Sequence, residues 1–316
     1  MAADEAVLIL GVDVTLGGPF GATKGLAEFF GEERVVNTPI SELTVMGLAI
    51  GAALAGKRPV VEVMFIDFVT LAMDQLVNHA AKLHYMTGGL LRVPLTIRAL
   101  QGAGGGFGAH HSQSLEAWFA HTPGLKVVAP ATPADAAGLL TSAIRDDNPV
   151  LFLEHRGLYW TRGEVADPIG PVEIGRAALV REGGDITIVA FSKMVHAALS
   201  AAEDLAGDGI AAEVIDLRTV SPLDLDTVLE SVGKTRRLVV AQEAVTTGGI
   251  GAEIAARVQE KAFGSLDAPV LRIGAPFAPV PASVELEKHF VPGAEQIARA
   301  ARGALDAAAH AEQGSS

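Results

Sequence analysis

Thr38-Pro39-Ile40-Ser41-Glu42, followed by the apolar run Leu43 to Gly56, decides how this chain folds. Read as a helix, the run is apolar on every side: Leu43, Val45, Met46, Leu48, Ile50 and Leu54 alternate with Gly47, Gly51 and several alanines. A helix with no polar face is buried, and its small residues let neighbouring backbones come close. Pro39 favours an extended approach, Ser41 can cap the helix and Gly56 can end it. Glu42 is then the one ionisable group on a buried helix, in its first turn. Two readings follow. The carboxylate can simply complement the helix dipole, worth about 1 kcal/mol or less. Alternatively it is kept for chemistry, with its proton affinity raised by desolvation.

Outward from this stretch, apolar strands alternate with helices. Strands are predicted at 6–10, 34–36, 58–65, 93–100, 125–129 and 150–153, and helices at 26–30, 67–81 and 133–145. Residues 156–173 hold Gly157, Gly163, Pro168, Gly170 and Pro171 with little periodicity and read as a linker. Strands at 186–190, 211–217, 237–241 and 270–273 then alternate with helices at 194–205, 224–232, 248–262 and 294–309. His310 to Ser316 is expected to fray. The pattern predicts an α/β protein of two domains, 1–172 (with the linker from about 156) and 173–316, each a mostly parallel sheet flanked by helices.

With 316 residues the chain is long for one core, in keeping with two domains. The net charge of -13, from 24 basic and 37 acidic residues with no basic cluster, argues against a nucleic-acid partner. With 49% hydrophobic residues, much surface can be covered by partner chains or by a large core. The absence of cysteine excludes disulfides, thiolate nucleophiles and cysteine metal sites. The start, Met1-Ala2-Ala3-Asp4-Glu5, does not read as a signal peptide, and no apolar run is long enough to span a bilayer. A cytoplasmic protein without a membrane partner is the expectation.

The glycine loop Gly102 to Gly108 invites a cofactor reading. Gly104-Gly105-Gly106-Phe107-Gly108-Ala109 fits a loose G-x-G-x-x-A, but the acidic residue that a dinucleotide site needs does not follow, and neither does Gly-Lys-Ser/Thr. A flexible active-site segment is the better reading. His110, His111 and Ser112 stand just past it, where open α/β sheets bind ligands. A histidine there is either structural or supplies a proton near neutral pH. Ser112 has no Gly-x-Ser-x-Gly around it, and adjacent histidines point apart, against a zinc pair.

Thr38-Pro39-Ile40-Ser41-Glu42, Arg58-Pro59-Val60, Met64-Phe65-Ile66-Asp67-Phe68 and Ala72-Met73-Asp74-Gln75 form an ordered series. Tyr85-Met86-Thr87-Gly88-Gly89, His111-Ser112-Gln113-Ser114-Leu115-Glu116, Pro123-Gly124-Leu125-Lys126-Val127-Val128 and Ser142 to Pro149 extend it, and Ala212 to Thr219 with Ser221-Pro222-Leu223-Asp224 carry it into the second half. Together these resemble the β subunits of thiamine diphosphate-dependent 2-oxoacid dehydrogenases of the pyruvate, acetoin and branched-chain types, over nearly the whole chain.

The resemblance implies a pyrimidine-binding domain and a transketolase-like C-terminal domain, working in an α2β2 heterotetramer with a lipoyl-bearing acyltransferase. Glu42 matches the carboxylate that shares a proton with the aminopyrimidine ring nitrogen, and Phe68 the aromatic on its face; Ile40 and Asp74 complete the residues placed at the cofactor. His111 matches the histidine held near the substrate. Leu95, Ala143, Ile144, Asp146 and Asn148 fall where the family often holds potassium through backbone oxygens. No G-D-G…N-N segment is present, so the resemblance assigns the diphosphate and magnesium to the α subunit and makes this chain inactive alone. The chain departs from the pattern at Gly11-Val12-Asp13 and at Leu71, where relatives carry acids of a proton path, and at Phe277 and Ala282, where they often have Asp and Tyr. A two-subunit carboligase or lyase with no lipoyl relay is therefore an alternative, and a non-catalytic scaffold subunit a third.

Overall fold

The computed structural model describes residues 1–18 and 20–313. The first sheet has six parallel strands: β1 (Val7–Gly11), β2 (Val35–Asn37), β3 (Arg58–Phe65), β4 (Thr96–Gln101), β5 (Lys126–Val128) and β6 (Val150–His155), in the order β5-β6-β4-β3-β1-β2. The second takes the strands that follow, except β10 (Thr219–Ser221). It contains β7 (Ala178–Arg181), β8 (Ile186–Ala190), β9 (Ala212–Asp216), β11 (Leu238–Val245) and β12 (Leu271–Ala275), ordered β12-β11-β8-β9-β7. Only its edge strand β7 runs antiparallel. Parallel strands lie between helix layers, and β4 and β8 are buried at every position.

Strand β10 was not legible in the sequence. It is three residues long and crosses to the first sheet, where it pairs antiparallel with β5. The two sheets also share a core: Leu115, Phe119, Leu125 and Val127 belong to the same apolar cluster as Val189, Phe191, Ile215 and Leu217. The stretch from 159 to 177 carries neither strand nor helix, yet it joins sheets that are packed on one another.

Helix α1 (Leu26–Phe30) precedes β2, and α2 (Glu42–Leu54) follows it. Gly56 ends α2 as expected. At φ +89° it lets its own N–H reach the Ala53 carbonyl and that of Lys57 the Ala52 carbonyl, both at 3.0 Å, which satisfies two terminal carbonyls. The cap differs from expectation. Ser41 stands at the N-cap position, but its hydroxyl donates to the Thr44 hydroxyl at 2.9 Å and bonds no backbone N–H. The full burial expected of α2 is also corrected. Val45, Met46, Ala49, Ile50 and Ala53 are buried, whereas Leu43, Gly47, Leu48, Gly51 and Leu54 face outward, Leu48 at 54% exposure. An all-apolar helix needs cover on every side, and this chain alone covers one.

The helix expected over 67–81 is a longer run that changes pitch: α3 (Ile66–Val69), a 3-10 turn (Thr70–Ala72), a π-helical stretch (Asp74–Ala80) and α4 (Ala81–Met86). Such wide turns gather at functional sites and have no period a sequence reading can detect. The remaining helices are α5 (Glu116–Ala120), α6 (Pro133–Arg145), α7 (Met194–Gly207), α8 (Leu225–Thr235), α9 (Ile250–Ala262), α10 (Val284–Phe290) and α11 (Ala294–Gln313). Helix α11 continues past His310, where fraying was expected, and residues 314–316 lie outside the described residues. Among the described residues no helix is long and apolar enough to cross a membrane.

Among the acids buried between these layers, Glu116 and Asp216 are fully buried. Burial, with the Glu243 charge adding, pushes the Glu116 carboxyl up to about 7. Burial, with Asp135 adding, does the same to Asp216, also to about 7. Both bind a proton more tightly folded than unfolded. The stability this gives is complete below the ordinary carboxylate range and is lost as pH rises through about 7. Asp147 acts oppositely: hydrogen bonds from Arg58 and Arg92 hold it low, so its contribution is lost as pH falls. The urea midpoint should therefore fall between pH 5 and pH 8. Glu116→Gln should flatten that fall, since one fully titrating group changes stability by up to about 1.4 kcal/mol per pH unit. An identical slope in wild type and variant would refute the assignment.

Candidate active site

The C-terminal ends of β1 and β3, the approach to α2 and the start of the 66–86 helical run enclose a cleft of about 290 Å³. Ligands of open α/β sheets bind at such strand ends. Glu42, Ile40 and Phe68, singled out in the sequence, all line it, together with Thr38 and Glu62. Glu42 is half-buried and not buried as the sequence suggested, because it stands at the mouth beside the uncovered face of α2. Thr38 points a buried hydroxyl oxygen into this region without any partner. A carboxylate, an unpartnered hydroxyl and an aromatic ring around one small space suit a flat heteroaromatic ring bearing an amino group. The residues present therefore fit an aminopyrimidine.

Three charged side chains from adjacent strands form a chain that begins with Glu62 at the cleft and runs to a second cavity lined by Arg98 and Glu154. Arg98 on β4 sits between Glu62 on β3 and Glu154 on β6. Its Nη1 donates to Glu62 Oε2 at 2.5 Å, and its Nε and Nη2 both reach Glu154, at 2.7–2.9 Å. The register brings them together, since Glu62 lies directly opposite Arg98. One guanidinium serves two carboxylates, and Glu154 takes the two-pronged share. Burial therefore dominates at Glu62, offset by Arg98 and reinforced by Glu154, and its carboxyl is pushed up to about 7. Val12 and Leu71 line the same cleft as apolar groups.

His111, on the glycine loop, does not line this cleft but stands against Phe68, which does. Its ring stands edge-on to Phe68 at 5.2 Å and to Phe65 at 5.1 Å. Gly102, Gly104, Gly105, Gly106 and Gly108 all have positive φ, so no helix opens there and the dinucleotide reading falls away. Arg156 holds the loop from beneath. It donates to the carbonyls of Gly102 (2.8 Å) and His111 (3.0 Å) and to the Ser112 hydroxyl (3.2 Å), and its guanidinium lies 4.1 Å from the centre of the Phe107 ring. Glu243 on β11 accepts the Ala103 N–H at 2.6 Å and pairs with His155 Nε2 at 2.8 Å. His155 Nδ1 accepts the Gly157 N–H, so Nε2 carries the proton given to Glu243.

The other singled-out residues lie elsewhere. Asp74 does not line the cleft; its exposed carboxylate accepts from Asn78 at 2.8 Å. Leu95, Ala143, Ile144, Asp146 and Asn148 gather near the start of β6 and the end of α6, and the carbonyls of the first four already accept hydrogen bonds. Arg58 Nη1 donates to Ile144 and Asp146, both at 3.1 Å. The Leu95 carbonyl accepts from Val150 and that of Ala143 from Asp146. Among the described residues no group of three or more His, Asp or Glu side chains could hold a metal ion. Sequence reading passed over Glu62, Arg98, Arg156, Glu243 and Glu287. A signal existed for the first two: a charged residue inside an apolar strand run, repeated on neighbouring strands, marks a buried pair.

Comparison with known proteins agrees with this geometry. The model of the transketolase pyrimidine binding domain matches residues 1–161, and that of the transketolase C-terminal domain residues 175–297. The β subunit of acetoin:2,6-dichlorophenolindophenol oxidoreductase from Cupriavidus necator is 48% identical over 321 residues, covering 98% of this chain and 95% of that protein. The pyruvate dehydrogenase E1 β subunit of Rickettsia bellii is 47% identical over 303 residues, covering 96% and 93%. A solved structure described as a split-gene transketolase in an inactive β4 tetramer superimposes with a TM-score of 0.79 at 27% identity, covering 96% of this chain and 93% of that one. The chain belongs to the thiamine diphosphate-dependent transketolase-like family and, within it, to the β subunits of the pyruvate and acetoin dehydrogenase type.

Proposed function

We propose that this chain works with an α subunit as a 2-oxoacid or acetoin dehydrogenase component that passes an acyl group to a lipoyl arm. The observation that carries this reading is the meeting of Glu42, Phe68 and the unpartnered Thr38 hydroxyl in one cleft, with the His111 ring edge-on to Phe68. In this reading residues 1–172 receive the pyrimidine and residues 173–316 form the C-terminal domain. When bound, thiamine diphosphate supplies a nucleophilic carbon and an electron sink. Glu42 holds a proton against the aminopyrimidine ring nitrogen, Phe68 offers its apolar face, and Ile40 bounds the mouth. His111 orients the substrate from the loop side. Diphosphate and magnesium are assigned to the α subunit. Potassium stays outside the proposal, because Arg58 already brings a positive charge to the Ile144 and Asp146 carbonyls. The cytoplasmic location expected from the sequence is kept.

The uncovered face of α2 supports the α partner, since monomers rarely leave contiguous apolar surface open. Tyr85, near the end of the 66–86 helical run, and Leu90, just past it, add apolar surface at 87% and 86% exposure. A second reading, in which the fragment is passed to an aldehyde or ketone and no lipoyl arm takes part, is favoured by one feature: apolar Val12 and Leu71 line the cleft where relatives of the dehydrogenase pattern carry acids.

In the co-purified complex, Glu42→Gln should lower kcat about 100-fold or more while leaving association with the α subunit intact. Full retained turnover would remove the assigned role. Leu48→Asp places a charge on the uncovered helix face and should abolish co-purification with the α subunit, with the circular dichroism of the isolated chain unchanged. Undiminished co-purification would show that this face is not the contact.

A further inference from the structure

Backbone N–H groups that converge on one point in a turn conformation make an anion nest. The glycine loop builds such a nest, with φ of +132°, +100° and +72° at Gly104, Gly105 and Gly106. A carboxylate of the same chain fills it. Glu287 on α10 accepts the Gly104 N–H at Oε1 (2.8 Å) and the Gly106 N–H at Oε2 (3.0 Å). The side chain is buried, at 4% exposure, and the segment leading to α10 seats against the loop. A Cβ at Gly106 would come within 2.8 Å of the Ala282 carbonyl oxygen, which leaves room only for glycine there.

The loop is thus gripped from two sides. Arg156 takes its carbonyls, including that of His111, while Glu243 and Glu287 take its amides from the second domain. Glu243 divides its oxygens between Ala103 and His155. Glu287 gives both of its oxygens to the loop. We infer that Glu287 is a positioning residue for His111: by filling the nest it fixes the loop, and the loop fixes the imidazole against Phe65 and Phe68. This rests on the reading of His111 given under the proposed function. The C-terminal domain thus helps to set the position of His111 through the loop it holds.

The test joins amide exchange with a double-mutant cycle, both in the complex with the α subunit. Glu287→Ala should speed exchange of the amides of residues 103–112 about tenfold or more and leave the strands of both sheets protected. It should lower kcat about tenfold, as a displaced catalytic group does, with thiamine diphosphate affinity unchanged. Glu287→Gln, which keeps the volume and one acceptor oxygen, should fall between, and Glu285→Ala on the exposed side of α10 should match wild type. In a His111→Ala background the Glu287→Ala change should cost less than about twofold further, since the two act through one group. Unchanged exchange would overturn the clasp. Faster exchange with losses that multiply would overturn the link to His111. If the wild-type complex turned over no substrate, the functional reading would fall, while the exchange arm would still decide whether Glu287 holds the loop.

Discussion

A loop with left-handed glycines at five of seven positions cannot satisfy its own amides, and buried amides without acceptors are costly. That constraint organises this molecule. Acceptors for the Ala103, Gly104 and Gly106 amides come from the far half of the chain, at Glu243 and Glu287, so the glycine loop of the first sheet has this shape only when the second sheet is in place. The shared apolar cluster and the crossing of β10 to the first sheet put it there. The two sheets are joined through one shared apolar cluster, beside which each packs others.

The same economy governs the charges. Arg98 is the partner of both Glu62 and Glu154, so one buried site holds one more carboxylate than cation. Buried ion pairs of this kind are weak sources of stability and strong sources of specificity only in some proteins. Here the consequence is chemical. Burial, offset by the shared Arg98 and reinforced by Glu154, leaves Glu62 a carboxyl that binds its proton up to about pH 7 at the edge of the cleft that Glu42 also lines. With Val12 and Leu71 apolar, Glu42 and Glu62 are the acids among the residues that line that cleft.

Much of this was legible in the sequence, for identifiable reasons. Strands such as Val7 to Leu10 and Val150 to Leu153 are continuous apolar runs, and a parallel sheet buried on both faces requires them. Helix α6 carries Pro133 at its start and follows Thr132, whose hydroxyl accepts the Asp135 N–H, so its start could be read directly. Glu42, Phe68 and His111 were found through motif, and the fold brings the three to one place. What escaped was set by long-range contact. Thr219–Ser221 has no strand length of its own and becomes a strand only through β5. The π-helical turn at Asp74–Ala80 has the composition of an ordinary helix. Glu287 sits among other charged residues in Glu285-Leu286-Glu287-Lys288, and nothing local marks it as the buried one. The face of α2 that stays open was misread because the sequence reports what a helix needs, and not which chain supplies it.

The central claim is that this chain completes a thiamine diphosphate site only together with an α subunit. Its most direct test is turnover of pyruvate, a branched-chain 2-oxoacid or acetoin with an artificial electron acceptor, comparing this chain alone with the chain co-expressed with an α subunit. Each would be assayed with and without thiamine diphosphate and magnesium. The expected result is turnover of one of these substrates by the complex alone, and only with the cofactor present. Turnover by the isolated chain, or by the complex without thiamine diphosphate, would contradict it.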